Sequence, residues 1–510
     1  MSPSPSAVRR NLVLPTEPAP ALSSAAAGAA DKLDVVLAIV TLPLAAGALR
    51  ALPRSTRWQQ LHARAPARAG TVRSGSLGNA RDTLMVLGYA KAEASAFERL
   101  TLAARMLKEA AARHPRSMGL CSTGKGTAAT GLLEALIAAS LACAFELPSI
   151  RAPAHPEGRL QKLVLLGEHS VDTRRATAVA RGTNLTRWLT ALPPNVLDAR
   201  GYRQAIARLA RAHDLKLTWL DERALKRAGA GAFLAVAQGN HSRDAGIAHL
   251  QYRPARRARG GRADVALIGK GILFDTGGVN LKPHRSMLEM HTDMSGSAVA
   301  LATLVALAEL RAPLAADAWL AITENNIGPH AYRPQEVVRA ANGVTIQVVH
   351  TDAEGRMVLA DTLALAARTQ PRFMMDFATL TGACVHALTE RMSGVFANRP
   401  ALAQALYEAG RASGERVWAF PFEEDFDADL ESKVADIIQC TVDGKGDHIL
   451  ATRFLSRFVP AEIPWAHVDL SASTRTGGLA HVATEVTGFG ARLALELLLG
   501  PGLRKALEAK

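Results

Sequence analysis

The apolar positions of this chain follow two rhythms that alternate along its length. Short, nearly unbroken hydrophobic runs, "DTLMVLGYA" (82–90) and "QKLVLLGE" (161–168), read as buried strands. Between them, "AFERLTLAARMLKEAAARH" (96–114) and "GLLEALIAASLACAFEL" (131–147) space their apolar residues as helices do. The alternation from residue 33 to about 180 predicts an α/β domain. A helical segment, "RRATAVARGTNLTRWLTAL" (174–192), then stops at Pro193-Pro194, where a domain junction is expected. Past the prolines come stronger strand runs: "LKLTWL", "DVALIG", "AADAWLAIT", "VTIQVVH" and "FMMDFATL", with helices such as "SGSAVALATLVALAEL" between them. They predict a second, larger α/β domain with a central, mostly parallel or mixed sheet flanked by helices, whose ligands would sit beyond the strands' carboxyl ends. The expected division is 1–185 and 186–510, the first thirty or so residues forming a flexible extension.

Length and composition agree with this reading. A chain of 510 residues exceeds one ordinary core, and 48% hydrophobic with 21% charged residues describes a soluble globular protein. The most apolar stretch, "LDVVLAIVTLPLAAGAL" (33–49), is broken by Pro43 and Gly47, so it reads as a buried strand and a turn, and no membrane partner is expected. Four cysteines without a CxxC pair make a disulfide framework unlikely and favour a reducing, cytoplasmic setting. The alternative is a mitochondrial presequence carrying Arg9 and Arg10, although Glu17 and nearby prolines interrupt its amphipathic helix.

The net charge of +14 is uneven: residues 1–180 carry 22 Lys+Arg against 12 Asp+Glu. That surplus could attract nucleic acid, but an arginine-rich solvated surface is the plainer account. The densest basic cluster, "RPARRARGGR" (253–262), lies between two strand runs and reads as a hairpin turn. "GLCSTGKG" (119–126) falls short of a phosphate-binding loop. Gly126 stands where a hydroxyl is required, no strong strand precedes it, and a glycine-rich loop before a helix at 127–142 explains it.

The chemistry gathers in three segments of the second half. "VALIGKGILFDTGGVNLKP" (265–283) reads as a strand, Val265–Gly269, that delivers Lys270, then a glycine-bearing turn with Asp275 and Lys282. "MHTDMSGSAVALATL" (290–304) places Asp293 at an N-cap-like position before a long helix. "VVHTDAEGRMVLADTL" (348–363) ends a β-rich run and sets Asp352, Glu354 and Arg356 at a strand–helix turn. Carboxylates gathered at strand mouths persist together only if cations neutralise them. Oxygen donors with few histidines suit hard or borderline divalent ions, and two ions about 3.5–4 Å apart can share bridging carboxylates.

Together with "DFATLTGACV", these motifs resemble the leucyl aminopeptidase (cytosol aminopeptidase) family of dinuclear metallopeptidases over roughly residues 185–500. The resemblance implies that Lys270, Asp275, Asp293 and Glu354 hold one metal, and Asp275, Asp352 and Glu354 the other. It implies zinc or manganese, with cobalt or magnesium as further candidates. Lys282 would donate to a developing oxyanion, and Arg356 would seat a bicarbonate acting as general base rather than form a salt bridge. Thr379, Leu380 and Gly382 would contact the substrate backbone; Met290, Ser471 and Thr474 would line the first side-chain pocket. Peptide substrates and a homohexamer follow from the same resemblance. The chain departs from the family pattern at His350, usually Asn, at Ser295 and Ser297, and in "HVDLSAST" (467–474), which puts leucine preference in question. His350 is expected beside the metals rather than on them. Two alternatives stand beside an aminopeptidase: a nucleic-acid-binding or structural protein, and a phosphoesterase at the same centre.

Overall fold

The computed structural model describes residues 14–15, 19–45, 47–123, 126–149, 159–255 and 261–508. The first sheet contains β1 (Ala21–Ala25), β2 (Val35–Leu42), β3 (Val72–Ser76), β4 (Leu84–Lys91), β5 (Ser117–Ser122) and β6 (Lys162–Leu166), ordered β1-β6-β5-β2-β4-β3. Every neighbouring pair is parallel except β3 with β4. Helices α1 (Ala96–Ala111) and α2 (Gly126–Cys143) accompany it, while α3 (Thr173–Ala191) sends Val179, Leu185, Trp188 and Leu189 into the core of the second half. A capping box opens α1: Ser95 accepts from the Glu98 N–H while the Glu98 carboxylate accepts from the Ser95 N–H.

Two expectations change here. The stretch read as a flexible extension contributes an edge strand, with Ala21 to Ala25 paired against Lys162 to Leu166. Its serines and alanines carry no hydrophobic rhythm, so backbone pairing alone makes the strand. A strand, β5, does run into "GLCSTGKG" and takes in its first four residues; its small and polar residues hid it, and Lys125 lies outside the described residues. Residues 1–13 and 16–18, which bear the presequence reading, and residues 256–260 of the basic turn also lie outside them. Among the described residues, α2 is the one helix long and apolar enough to cross a membrane. Leu132–Leu133 and Ala135–Ala142 are buried within the fold, as in a core helix.

The second sheet is larger and mixed. Its strands are β7 (Lys216–Asp221), β8 (Gly246–Tyr252), β9 (Val265–Asp275), β10 (Ala316–Asn325), β13 (Met374–Ala378), β14 (Ser393–Ala397), β15 (Val417–Ala419) and β17 (Trp465–Asp469), ordered β15-β14-β17-β13-β9-β10-β8-β7. A minor sheet joins β11 (Val337–Arg339), β12 (Thr345–Gln347) and β16 (Ile437–Ile438). The run Val344 to His350 therefore holds only a three-residue strand. At the centre β17, β13, β9 and β10 run parallel. Helices α4 (Ser295–Glu309), α5 (Glu354–Ala367), α6 (Gly382–Leu388), α7 (Asp447–Ser456) and α8 (Ala491–Leu499) belong to this half.

Strand β9 continues past Gly269 to Asp275, farther than its apolar run suggested, because β10 pairs with it through Asn325 opposite Asp275. Val265, Leu267 and Leu273 join the core that contains α4, whereas Ala266, Ile268 and Ile272 join the core that contains α5. Alternation along the strand thus points Lys270 toward α5. On the other face α4 presses close: a Cβ at Gly296 would lie 2.0 Å from the Phe377 carbonyl. Only glycine lets the first turn of α4 approach β13 this closely.

Glu415 ties α8 to the body of the domain. Its Oε2 accepts from the N–H groups of Gly490 at 3.0 Å and Leu493 at 2.7 Å. Burial pushes its pKa up to about 7 despite those bonds. Between the ordinary carboxylate range and about pH 7 the folded chain holds a proton that the unfolded chain has released, so this group's contribution to stability falls as pH rises through that window. Glu415→Gln should flatten that part of the dependence. Denaturant midpoints of both proteins between pH 5 and 8 check it, and parallel curves would refute the assignment.

Candidate metal centre

The three parallel strands β13, β9 and β10 deliver their carboxyl ends to one place. Asp275 ends β9, Asn325 ends β10, and Thr379 follows β13. Into this mouth come the approach to α4, carrying Asp293, and the start of α5, carrying Glu354. Asp275, Asp293 and Glu354 are buried and present carboxylate oxygens within 4.8 Å of one another. Lys270 Nζ lies 2.8 Å from Asp293 Oδ1, 2.9 Å from Glu354 Oε1 and 3.0 Å from the Thr379 carbonyl. Lys282 Nζ lies 2.9 Å from Asp275 Oδ2 and 2.5 Å from Asp352 Oδ1. The structure therefore brings all five residues expected as ligands, and Lys282, into one cluster.

The electrostatics show a shortage of positive charge. Burial works against the Lys270 ammonium, but attraction to Asp293, Glu354 and Asp275 outweighs it and raises its pKa. For Lys282 burial is likewise overcome, by Asp275, Glu354 and Asp352. Asp293 shifts upward through burial and repulsion from Glu354 and Asp275, which Lys270 does not cancel. Asp352 shifts upward through burial and the same two acids. Amines and acids move in the same direction because two ammoniums serve four carboxylates. Asp293 Oδ2 is buried without a hydrogen-bond partner. An orphaned carboxylate oxygen in such a cluster fits a cation ligand.

Asp293 is not the helix cap its position suggested. The N-cap of α4 is Met294, with no side-chain cap, and Asp293 Oδ1 instead accepts from Thr379 Oγ1 at 2.7 Å. Ser295 and Ser297 donate back to the carbonyls of Thr292 and Met294. His350 is exposed, and its Nδ1 accepts from the Asp352 N–H at 3.3 Å, steadying that loop from its rim.

Residues 184–495 match the cytosol aminopeptidase family's catalytic domain. The chain belongs to that family. A probable cytosol aminopeptidase of Parasynechococcus marenigrum (strain WH8102) is 35% identical over 430 residues, 83% of this chain and 87% of that protein. One from Stutzerimonas stutzeri (strain A1501) is 42% identical over 327 residues, which span 62% of this chain and 64% of the relative's length. Among solved structures, the bottromycin maturation enzyme BotP in complex with Mn is 30% identical with a TM-score of 0.76, covering 91% of this chain and 98% of that one. A tomato leucine aminopeptidase mutant is 25% identical with a TM-score of 0.80, covering 95% and 98%.

The residues expected to meet substrate in this cytosol aminopeptidase family member lie in different surroundings. Thr379 is engaged with Asp293 and Lys270. Leu380 donates its N–H to Asp469 at 3.1 Å. Gly382 is exposed at the start of α6, with open space where a side chain would stand. Thr474 lines a cavity of about 570 Å³ shared with Glu289, His291 and Thr292. Met290 is half-buried between the first two of these. Ser471 is buried and donates to the Met392 carbonyl at 2.7 Å, outside the lining of that cavity.

Three supporting residues escaped the sequence reading. Asn325 donates to Asp275 Oδ1 at 2.8 Å and to the Thr351 carbonyl at 3.0 Å. Gln439 is buried; its Oε1 accepts from the N–H groups of Val349 and His350, and its Nε2 donates to the Ala353 carbonyl. Asp447 pairs with Arg356, whose guanidinium therefore does form a salt bridge, contrary to expectation. An amide ending a strand run is a weak signal for Asn325; Gln439 and Asp447 carry none, because their roles depend on contacts far along the chain.

Gly355 tests this packing. A Cβ there would lie 2.7 Å from both Cε and Nζ of Lys270. The lysine tip can move, so Gly355→Ala should fold, but Lys270 would leave Asp293 and Glu354. We expect the variant's affinity for Mn, measured by calorimetry, to fall by roughly tenfold or more. Unchanged affinity would show that Lys270's placement is immaterial to the centre.

Proposed function

We propose that this chain is an aminopeptidase that removes N-terminal residues from peptides at a centre for two divalent ions. The carrying observation is the buried trio Asp275, Asp293 and Glu354, joined by Asp352 and two lysines at the mouth of three parallel strands. In this reading Lys270, Asp275, Asp293 and Glu354 hold one ion, and Asp275, Asp352 and Glu354 the other. The donor set is nearly all oxygen with one amine, which suits manganese or zinc, with cobalt or magnesium also within its range. The Mn in BotP supports manganese. Bound there, two ions would polarise the scissile carbonyl, lower the pKa of the attacking water and accept the substrate's free α-amine.

The chain's own groups do the rest. Lys282 holds an ammonium at the cluster's edge, where it can donate to the oxygen that gains charge. Thr379 and Leu380 place backbone beside Lys270, and open space at Gly382 admits an extended peptide. Polar Glu289, His291, Thr292 and Thr474 around the neighbouring cavity support acceptance of N-terminal side chains other than leucine. A cytoplasmic homohexamer completes the reading, and light scattering checks its mass. The nucleic-acid alternative rests on net charge alone.

The bicarbonate implied for Arg356 does not fit. Nη2 of its guanidinium donates to both oxygens of Asp447 at 2.8 Å, Nη1 donates to the Gln439 carbonyl at 3.1 Å, and only Nε is without a partner. No pair of guanidinium nitrogens is open to a bridging oxyanion.

Two measurements test the proposal. Chelation should abolish release of N-terminal residues from a peptide panel, and added Mn or Zn should restore it, while N-acetylated peptides stay intact. Asp352→Ala should lower kcat/KM by at least about a hundredfold. Wild-type turnover in that variant would refute the assigned centre.

A further inference from the structure

Arg356 sits in the first turn of α5, two residues after Glu354, and is buried. Its partner Asp447 comes from a distant segment and opens α7 directly after Gly446. Gly446 adopts φ 61°, a conformation that glycine takes without strain, and this turn swings the chain into the helix. The Asp447 side chain is 23% exposed against 3% for Arg356, so the carboxylate stands on the open side of the guanidinium. The same guanidinium donates to the Gln439 carbonyl, and the Gln439 side chain bonds Val349, His350 and Ala353, so the Arg356–Asp447 pair stands against the loop that carries Asp352. A carboxylate gripped through both oxygens by a buried arginine is fixed in orientation, as a general base must be.

We propose that Asp447 is the general base of this enzyme, a built-in carboxylate standing on Arg356 in place of an external oxyanion, so that catalysis needs no bicarbonate. The inference rests on the aminopeptidase reading. Asp447 takes one proton from the attacking water while an electron pair of the water oxygen forms the bond to the scissile carbonyl carbon and the carbonyl π pair moves onto its oxygen, to return as the leaving group departs. The carbon–nitrogen bond then breaks, its electron pair stays on nitrogen, and the proton held by Asp447 passes to that nitrogen. One water and one peptide bond become a carboxylic acid and an amine, and Asp447 returns to its starting form.

The test compares the wild type, Asp447→Ala and Asp447→Asn, each loaded with zinc, in carbon-dioxide-free buffer and with added bicarbonate. Binding of ¹³C-bicarbonate is followed separately by NMR line broadening. The wild type should neither broaden the signal nor change its turnover. Asp447→Ala should lose about a hundredfold or more in kcat, broaden the signal, and regain turnover with bicarbonate on the vacated arginine. Asp447→Asn keeps the seat filled, so it should lose kcat without rescue. Full kcat in Asp447→Asn, or a wild type that binds bicarbonate and is accelerated by it, would overturn the proposal. If Asp447→Ala fails to fold, the near-isosteric Asp447→Asn still decides the kinetic claim. A wild type without peptide turnover would sink the aminopeptidase reading instead, and the ¹³C titration would judge the seat by itself.

Discussion

Four carboxylates at one strand mouth repel each other, and much of the surrounding architecture holds them together. Asp275, Asp293 and the pair Asp352 and Glu354 come from three separate places in the chain, and the two ammoniums among them leave negative charge in excess. Such a cluster is costly to bury unless something fixes it while cations arrive. The glycine contacts under α4 and α5 bring the acids close, and Asn325 and Thr379 give hydrogen bonds to Asp275 and Asp293. Strand order supplies the rest, because three parallel carboxyl ends converge on one point.

The same constraint explains which parts were legible in the sequence. Central strands such as β9 and β10 are buried on both faces, so they appear as unbroken apolar runs. Edge strand β1 and the small-residue strand β5 owe their existence to backbone pairing, and no side-chain rhythm announces them. The ligand acids stood out because several charges occur at strand–helix junctions within short, glycine-bearing motifs. Their extent was less clear: β9 runs six residues beyond its apparent end because β10 stays paired with it.

Residues that serve the site from a distance were not legible. Gln439 is a single amide in an unremarkable stretch, and only the folded chain shows its three bonds to the loop at 349–353. The family resemblance makes Arg356 a seat for a free anion. Its actual partner lies 91 positions away, and a one-dimensional reading had no means to pair them. Asp293 shows the opposite error at short range. The residue before a helix is usually a cap, but here the carboxylate turns to the sheet because Lys270 and Thr379 bind it more strongly than a backbone N–H would.

Gln439 has a consequence for the order in which the enzyme is made. Every acid of the cluster leaves the ribosome before the amide that clamps residues 349–353, and the amide follows Ala353 by 86 positions. Until that later segment arrives, the acids are tethered to a nascent chain whose loop has no fixed shape. A cation that met them then would find chelating groups without geometry. The three bonds that hold residues 349–353 can therefore form only after residue 439 has been made, so this part of the cluster takes its shape late in the synthesis of the domain.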